Sequence, residues 1–95
     1  MIYFVQSSCA EGFIKIGYLG YSCQPNNRFS VLQADTPHAV SVLGVCDGDQ
    51  VAEFAIHSAF ASARYRAEWF WPSPALLTFI KEHASPYVPI DRRKK

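Results

Sequence analysis

Residues 51–71 read VAEFAIHSAFASARYRAEWFW and hold most of the side chains suited to site chemistry. The first part of this stretch predicts a helix over residues 51–64. At 3.6 residues per turn, such a helix places Glu53, His57 and Arg64 along one side. The other side is smaller or apolar and suits packing against a sheet: Val51, Phe54, Ala55, Ser58, Ala61 and Ser62.

Glu68 follows that predicted helix, among small and aromatic neighbours in the segment AEWFW. Burying a carboxylate in such surroundings is costly unless a cation or hydrogen-bond donors compensate it. We therefore expect Glu68 to have a partner, and a metal ion is one candidate.

Two segments rich in β-branched and aromatic residues, 2–6 and 13–18, predict an antiparallel hairpin. A connection that is symmetric about Cys9 pairs Tyr3 with Lys15 across the two strands. Their side chains then lie side by side on one face of the hairpin. An ammonium group beside a phenol favours the phenolate, so Tyr3 becomes a candidate base.

Pro25 suits the first turn of a helix over residues 25–34. Arg28 lies in or near that first turn, where a cation is unfavourable unless an anion is also present. Free backbone amides and a guanidinium group together make a phosphate site. The alternative is a surface arginine whose stem packs on Leu32.

The rest of the chain predicts one more strand, over residues 40–46, and a last helix. Asp47 and Asp49 follow the strand and can cap the helix that begins near residue 51. Ser73 is the expected cap of the last helix, which presents an inward side of Leu76, Leu77, Phe79 and Ile80. The predicted fold is α+β, with a three-stranded antiparallel sheet flanked by about three helices in the order β-β-α-β-α-α.

The composition predicts one domain over residues 1–90. The chain has 95 residues, of which 49% are hydrophobic and 15% aromatic, enough for one core. No apolar run approaches the roughly 20 residues that span a bilayer, so no membrane association is expected. The three cysteines lack C-x-x-C spacing, which favours reduced thiols and a cytoplasmic location.

The net charge of +1 hides an uneven distribution. Four of the nine basic residues form a tail at residues 92–95, whereas residues 1–90 have five basic and seven acidic side chains. A body of this charge lacks the broad basic surface of a duplex-DNA binder. Its few cations are therefore expected to act at defined positions. The tail either adds non-specific phosphate affinity or is a solvated end.

The sequence motifs give little support to several common kinds of catalytic or cofactor site. His57 lies four residues after Glu53. This spacing is that of a simple helical pair, and His57 is also a candidate catalytic residue. The spacing differs from the zinc-protease motif His-Glu-x-x-His, and no Gly-x-Ser-x-Gly of serine hydrolases occurs. No phosphate-binding glycine loop is present, so no nucleotide cofactor is implied.

Five short motifs in order resemble the GIY-YIG nuclease superfamily: MIYF at residues 1–4, KIG at 15–17, Arg28, the segment from Glu53 to His57, and AEWF at 67–70. The resemblance is closest to a small phage- and bacteria-associated branch whose second motif reads Lys-Ile-Gly. It covers roughly residues 2 to 82. It implies a three-stranded antiparallel sheet with helices around it, and phosphodiester cleavage with a single divalent metal, Mg²⁺ or Mn²⁺.

The resemblance assigns roles by position. Tyr3 corresponds to the tyrosine of the first motif, and Lys15 stands where many relatives have the second tyrosine. Arg28 corresponds to the helix arginine on the scissile phosphate, and Glu68 to the glutamate that binds the metal. His57 matches a histidine that recurs in this branch. These five residues are the expected catalytic set, with Glu68 as the metal ligand.

Two departures from the family pattern are Lys15 itself and the absence of any asparagine after Asn27. The resemblance implies a metal-dependent endonuclease, with DNA the expected substrate. The alternative is an inactive module of the same fold that binds nucleic acid or protein. Arg28, Arg64 and Arg66 are expected to contact nucleic acid. No separate DNA-reading domain is expected within these 95 residues, so a homodimer or an accessory targeting protein is expected to supply specificity.

Overall fold

The computed structural model describes residues 1–20, 33 and 38–86. Within them the elements are β1 (Ile2–Ser7), β2 (Ile14–Tyr18), β3 (Val40–Cys46), α1 (Gln50–Ala59), a 3-10 turn (Ala61–Ala63), β4 (Arg64–Arg66), β5 (Trp69–Phe70) and α2 (Pro74–His83). Most of the predicted helix at 25–34, including Arg28, and the basic tail lie outside the described residues. None of the described helices is long and apolar enough to cross a membrane.

The described strands form one antiparallel sheet of five strands in the order β3-β1-β2-β5-β4. The α+β class is therefore confirmed, but the prediction of three strands is wrong. The additional strands β4 and β5 fall where the sequence predicted the end of a helix and a loop. They form because α1 ends at Ala59, which frees residues 64–70 to pair with each other and with β2.

The hairpin of β1 and β2 has a register different from the predicted one. Tyr3 is opposite Gly17, and Lys15 is opposite Val5, so the predicted pairing of Tyr3 with Lys15 is wrong. The shift amounts to two residues, and a shift of two leaves each side chain on its original face. Tyr3 and Lys15 therefore share a face of the sheet without being direct partners.

The turn of this hairpin explains the shift. The Gly12 amide donates to the Cys9 carbonyl at 2.9 Å, and the Ser7 amide donates to the Phe13 carbonyl at 2.9 Å. Gly12 has a φ of 65°, a left-handed conformation that glycine adopts without a steric penalty. The turn thus begins at Cys9 instead of being centred on it. Each residue of β1 therefore pairs with a residue of β2 that is two positions later than predicted.

The sheet has an apolar cluster on each face. The cluster on the helix side consists of Ile2, Phe4, Ile14, Ile16, Phe70, Leu76 and Ile80. The cluster on the opposite side consists of Tyr3, Val5 and Leu19. The two sets alternate along β1, as the period of two in a strand requires. Lys15 alternates with Ile14 and Ile16, so its side chain leaves the strand on the face opposite the helices.

Helix α2 begins as predicted. Ser73 accepts a hydrogen bond from the Leu76 amide at 3.2 Å, and Pro74 occupies the first turn. Leu76 and Ile80 are buried, but Leu77 is exposed, so its predicted inward position is wrong. Each helical residue advances by about 100°, which turns Leu77 out of the face that Leu76 and Ile80 share.

Helix α1 packs with the side opposite to the predicted one. Asp49 caps it, as predicted, by accepting from the Ala52 amide at 2.9 Å. Val51 and Phe54, which were expected to face the sheet, are 75% and 72% exposed. The side that packs on the core contains Ala52, Ile56 and Phe60. Both sides of the helix present large apolar residues, so the pattern alone does not decide between them. Packing through Ile56 and Phe60, one turn apart, brings Glu53 and His57 towards the sheet.

Candidate functional site

The site centres on an ion pair between Lys15 and Glu68. Lys15 Nζ lies 2.7 Å from Glu68 Oε1, and the two side chains are 16% and 39% exposed. Lys15 also lies 5.8 Å from the centre of the Trp69 ring. The partner that the surroundings of Glu68 require is thus, in this structure, the ammonium group of Lys15.

The backbone brings these distant residues together. Strand β5 pairs with β2 only at Ile14–Phe70 and Lys15–Trp69. Just beyond, the Ile16 amide donates to the Glu68 carbonyl at 3.1 Å. Glu68 therefore lies where β5 begins to pair with β2, next to the strand position of Lys15.

His57 reaches the same strand from α1. Its Nε2 lies 3.0 Å from the Ile16 carbonyl oxygen. A carbonyl only accepts, so Nε2 bears the hydrogen and Nδ1 keeps a lone pair. The ring contacts Phe70 edge to face, at 5.1 Å between centroids and 72° between planes. The imidazole is thus fixed in both orientation and tautomer.

Arg64 lies after the 3-10 turn instead of on α1, yet it still reaches His57. Its Nη2 is 3.4 Å from His57 Nδ1, and its Nε donates to the Ala67 carbonyl at 2.7 Å. The guanidinium carbon lies 5.8 Å from the centre of the Phe70 ring. Arg64 therefore holds the β4–β5 turn that contains Glu68 against the histidine.

Glu53 completes the group and was not predicted as a site residue. Its Oε2 is buried and has no hydrogen-bond partner among the described residues. Burial, and then the negative charge of Glu68, raise the pKa of the Glu53 carboxyl, while His57 and Lys15 partly oppose the rise. The sequence contained one sign of this role, the four-residue spacing from Glu53 to His57.

The structure brings together some predicted site residues and not others. Lys15, His57, Arg64 and Glu68 lie together at β2. Tyr3 lies on the same face of the sheet as Lys15, away from the helices, but it is fully buried in the apolar cluster there, and its cross-strand neighbour is Gly17. Arg66 is exposed and lines a separate cavity. Arg28 lies outside the described residues.

Whether this site suits a metal ion depends on the donor atoms that it contains. Among the described residues, no three or more His, Cys, Asp or Glu side chains are grouped so that they could hold a metal. The donors present are the carboxylates of Glu68 and Glu53. Mg²⁺ is commonly held by one or two carboxylates, with water and substrate phosphates completing its shell. The pair fits a minimal site of this kind, in which Lys15 competes with the cation for Glu68.

Comparisons with protein-family models, with curated proteins and with solved structures found no match to this chain.

Proposed function

We propose that this protein is a metal-dependent endonuclease that hydrolyses phosphodiester bonds in nucleic acid, with DNA the expected substrate. The observation that supports this most directly is the convergence of Lys15, Glu53, His57 and Glu68 at the end of the β2–β5 pairing. Phosphodiester hydrolysis needs a nucleophilic water, stabilisation of charge on the phosphoryl oxygens and a proton for the leaving oxygen. The group contains a candidate for each task.

Glu68, with Glu53 beside it, would hold the Mg²⁺ or Mn²⁺ ion. When bound, such an ion stabilises negative charge on a phosphoryl oxygen and favours ionisation of a bound water. The Oε2 of Glu53 has no hydrogen-bond partner among the described residues, and burial and the charge of Glu68 raise the pKa of its carboxyl, so a cation there would supply compensating charge. Lys15 then serves as a positive charge for the phosphate.

His57 is the group best placed to transfer a proton. Its Nε2 is held by the Ile16 carbonyl, so Nδ1 is the nitrogen that could accept a proton from water if Arg64 Nη2, 3.4 Å away, moves aside. The role of Tyr3 as a base remains a prediction, and its burial makes His57 the stronger candidate. Arg28 remains the expected clamp on the scissile phosphate.

A non-catalytic module that binds nucleic acid is the second candidate. It is favoured by the ion pair itself, since Lys15 engages an oxygen of the expected metal ligand, and by the burial of the expected tyrosine base. A module of this kind binds nucleic acid equally well with and without divalent metal and releases no product.

Cleavage assays separate the two candidates. Labelled single- and double-stranded DNA and RNA are incubated with Mg²⁺, with Mn²⁺ or with EDTA. The endonuclease gives metal-dependent products, Glu68→Gln abolishes them, and Mn²⁺ binding measured by calorimetry is lost in the same variant. The matched control is Glu82→Gln, which removes an exposed carboxylate on α2. Binding without products under every metal condition would establish the module instead.

A further inference from the structure

A cavity of about 460 Å³ opens beside the candidate site and takes no part in the proposed chemistry. Its lining includes Phe13, Tyr65, Trp69, Arg66, Glu11 and Cys9. Phe13, Lys15 and Trp69 belong to one face of the sheet, because Lys15 pairs with Trp69 and Phe13 is two residues before Lys15. The volume lies within the roughly 300–1,000 Å³ that is usual for small-ligand sites.

One wall of the cavity is built from stacked aromatic rings. The rings of Phe13 and Tyr65 are 4.2 Å apart and 19° from parallel. Trp71 packs edge-on against both, at 4.7 Å from Phe13 and 5.6 Å from Tyr65. Tyr65 and Trp71 are nevertheless 51% and 45% exposed. The rings fix one another and leave apolar surface open to a flat ligand.

The charged residues at the cavity favour entry of the base of a nucleotide over entry of its phosphate. Arg66 supplies one exposed cation and Glu11 one exposed carboxylate, and His38 also lines the cavity. This balance disfavours a phosphate inside the cavity, where Glu11 would repel it. It suits an uncharged ring that enters while its phosphate remains near Arg66, since a guanidinium group binds phosphate oxygens in pairs.

The cavity adjoins the candidate site through a shared residue. Trp69 lines the cavity, and its ring is 5.8 Å from Lys15 Nζ, which pairs with Glu68. A strand whose phosphate lies at Lys15 and Glu68 therefore has a neighbouring nucleotide within reach of the cavity.

We propose that this cavity binds one unpaired nucleobase of the substrate strand, stacked on the wall of Tyr65 and Phe13, with the adjacent phosphate on Arg66. The inference rests on the proposed function for the path of the strand. Stacking on aromatic rings is the general means by which proteins hold single-stranded nucleic acid, because every base has a flat π surface. A base within a duplex cannot present that surface unless it is flipped out. The protein therefore prefers single-stranded or locally unpaired nucleic acid.

The first test uses thiol protection in the wild-type protein and needs no cleavage. Cys9 lines the cavity, whereas Cys46 is a free cysteine on β3 and serves as the internal reference. AMP should slow alkylation of Cys9, followed by mass spectrometry, without slowing that of Cys46. Ribose 5-phosphate, which has the phosphate and no base, should leave both rates unchanged. Equal protection by the two compounds would overturn the base site in favour of a phosphate site.

The second test measures binding of a labelled single strand of about twelve nucleotides in EDTA, within the site sizes of such proteins. Tyr65→Ala should weaken binding at least about tenfold, the lower part of the range for loss of one stacked base. Tyr65→Phe should retain it, because the ring remains. Phe54→Ala, which removes an exposed ring from α1, should have no effect.

The outcomes separate this inference from the proposed function. Unchanged binding by Tyr65→Ala, together with unprotected Cys9, overturns the nucleobase site even if cleavage dependent on Glu68 is present. Binding that depends on Tyr65, in a protein that cleaves nothing, supports the nucleobase site and removes the endonuclease.

Discussion

The ammonium group of Lys15 lies 2.7 Å from Oε1 of Glu68, although 53 residues separate the two in the chain. Lys15 is the more buried partner, while Glu68 remains 39% exposed and is therefore partly screened by water. Any divalent cation that binds Glu68 must compete with this ammonium group. If Glu68 binds metal as proposed, its affinity is therefore lower than the carboxylate alone would give.

Replacing Lys15 by methionine should tighten Mn²⁺ binding in the absence of nucleic acid. A partly exposed ion pair contributes up to about 1 kcal/mol, so the increase should be up to about fivefold. The same variant should cleave more slowly, because a positive charge near the phosphate is lost. Calorimetry and single-turnover kinetics measure the two effects. Lys81→Met is the control, and Mn²⁺ binding that becomes weaker in Lys15→Met would contradict competition between the ammonium group and the metal for Glu68.

Replacing Glu53 by glutamine should stabilise the protein at neutral pH. The pKa of the Glu53 carboxyl is raised above its ordinary value of 4.5 by burial and by Glu68. The folded protein therefore holds this proton more tightly than the unfolded chain, and stability falls as pH rises from about 4.5 through the raised pKa. Glutamine cannot ionise, so the Glu53→Gln variant does not lose this stability as the pH rises. The gain in Tm at about pH 7 should be a degree or two, since the carboxyl is partly exposed.

The pH dependence is the decisive part of that experiment. At about pH 3.5 the Glu53 carboxyl is protonated in both the folded and the unfolded protein, so the Tm difference between Glu53→Gln and wild type should vanish. Glu82→Gln, on the exposed side of α2, should give no such pattern. A gain that persists unchanged in acid would mean that glutamine improves packing and that the carboxylate charge is not the cause.

The strands and the last helix could be predicted because their patterns are local. β3 has the predicted bounds, and α2 begins after Ser73 with Pro74 in its first turn. β4 and β5 could not be predicted in this way, because three and two residues are too few to show an alternation. β5 depends on pairing with β2, which is a non-local contact, and β4 depends in turn on pairing with β5.

The packing side of α1 was ambiguous in the sequence for a physical reason. Both sides of the helix contain apolar residues, and the side with Val51 and Phe54 was predicted to lie against the sheet. The side with Ile56 and Phe60 packs on the core instead. Partly buried polar residues depart from the simple pattern where a site is present. The sequence thus indicated Lys15, His57 and Glu68 through the motifs that resemble a known family. Which of these side chains contact one another could be learned only from the three-dimensional structure.

A methyl group at Gly17 should destabilise the hairpin. The Tyr3 ring lies over this glycine, and a Cβ added there would overlap Cζ and Oη of Tyr3. Gly17→Ala should lower the free energy of unfolding by about 1–3 kcal/mol, as is usual for an overpacked core. Gly20→Ala is the control, because its Cβ would meet its nearest neighbour at 4.0 Å. Urea denaturation that gave the two variants the same stability would contradict the packing of Tyr3 on Gly17.

Replacing Ala67 by glycine should stabilise the turn that positions Glu68. Ala67 has a φ of 52°, and this left-handed conformation costs a residue with a Cβ about 1–2 kcal/mol. Glycine avoids that cost but gains about 0.4–1 kcal/mol of freedom in the unfolded chain, so the net increase should be up to about 1 kcal/mol in urea denaturation. The Ala67 carbonyl still accepts from Arg64, and Mn²⁺ affinity and cleavage should not change. Ala67→Val, whose branched side chain resists positive φ, should lose stability, and a glycine variant that is less stable than wild type would refute the strained turn.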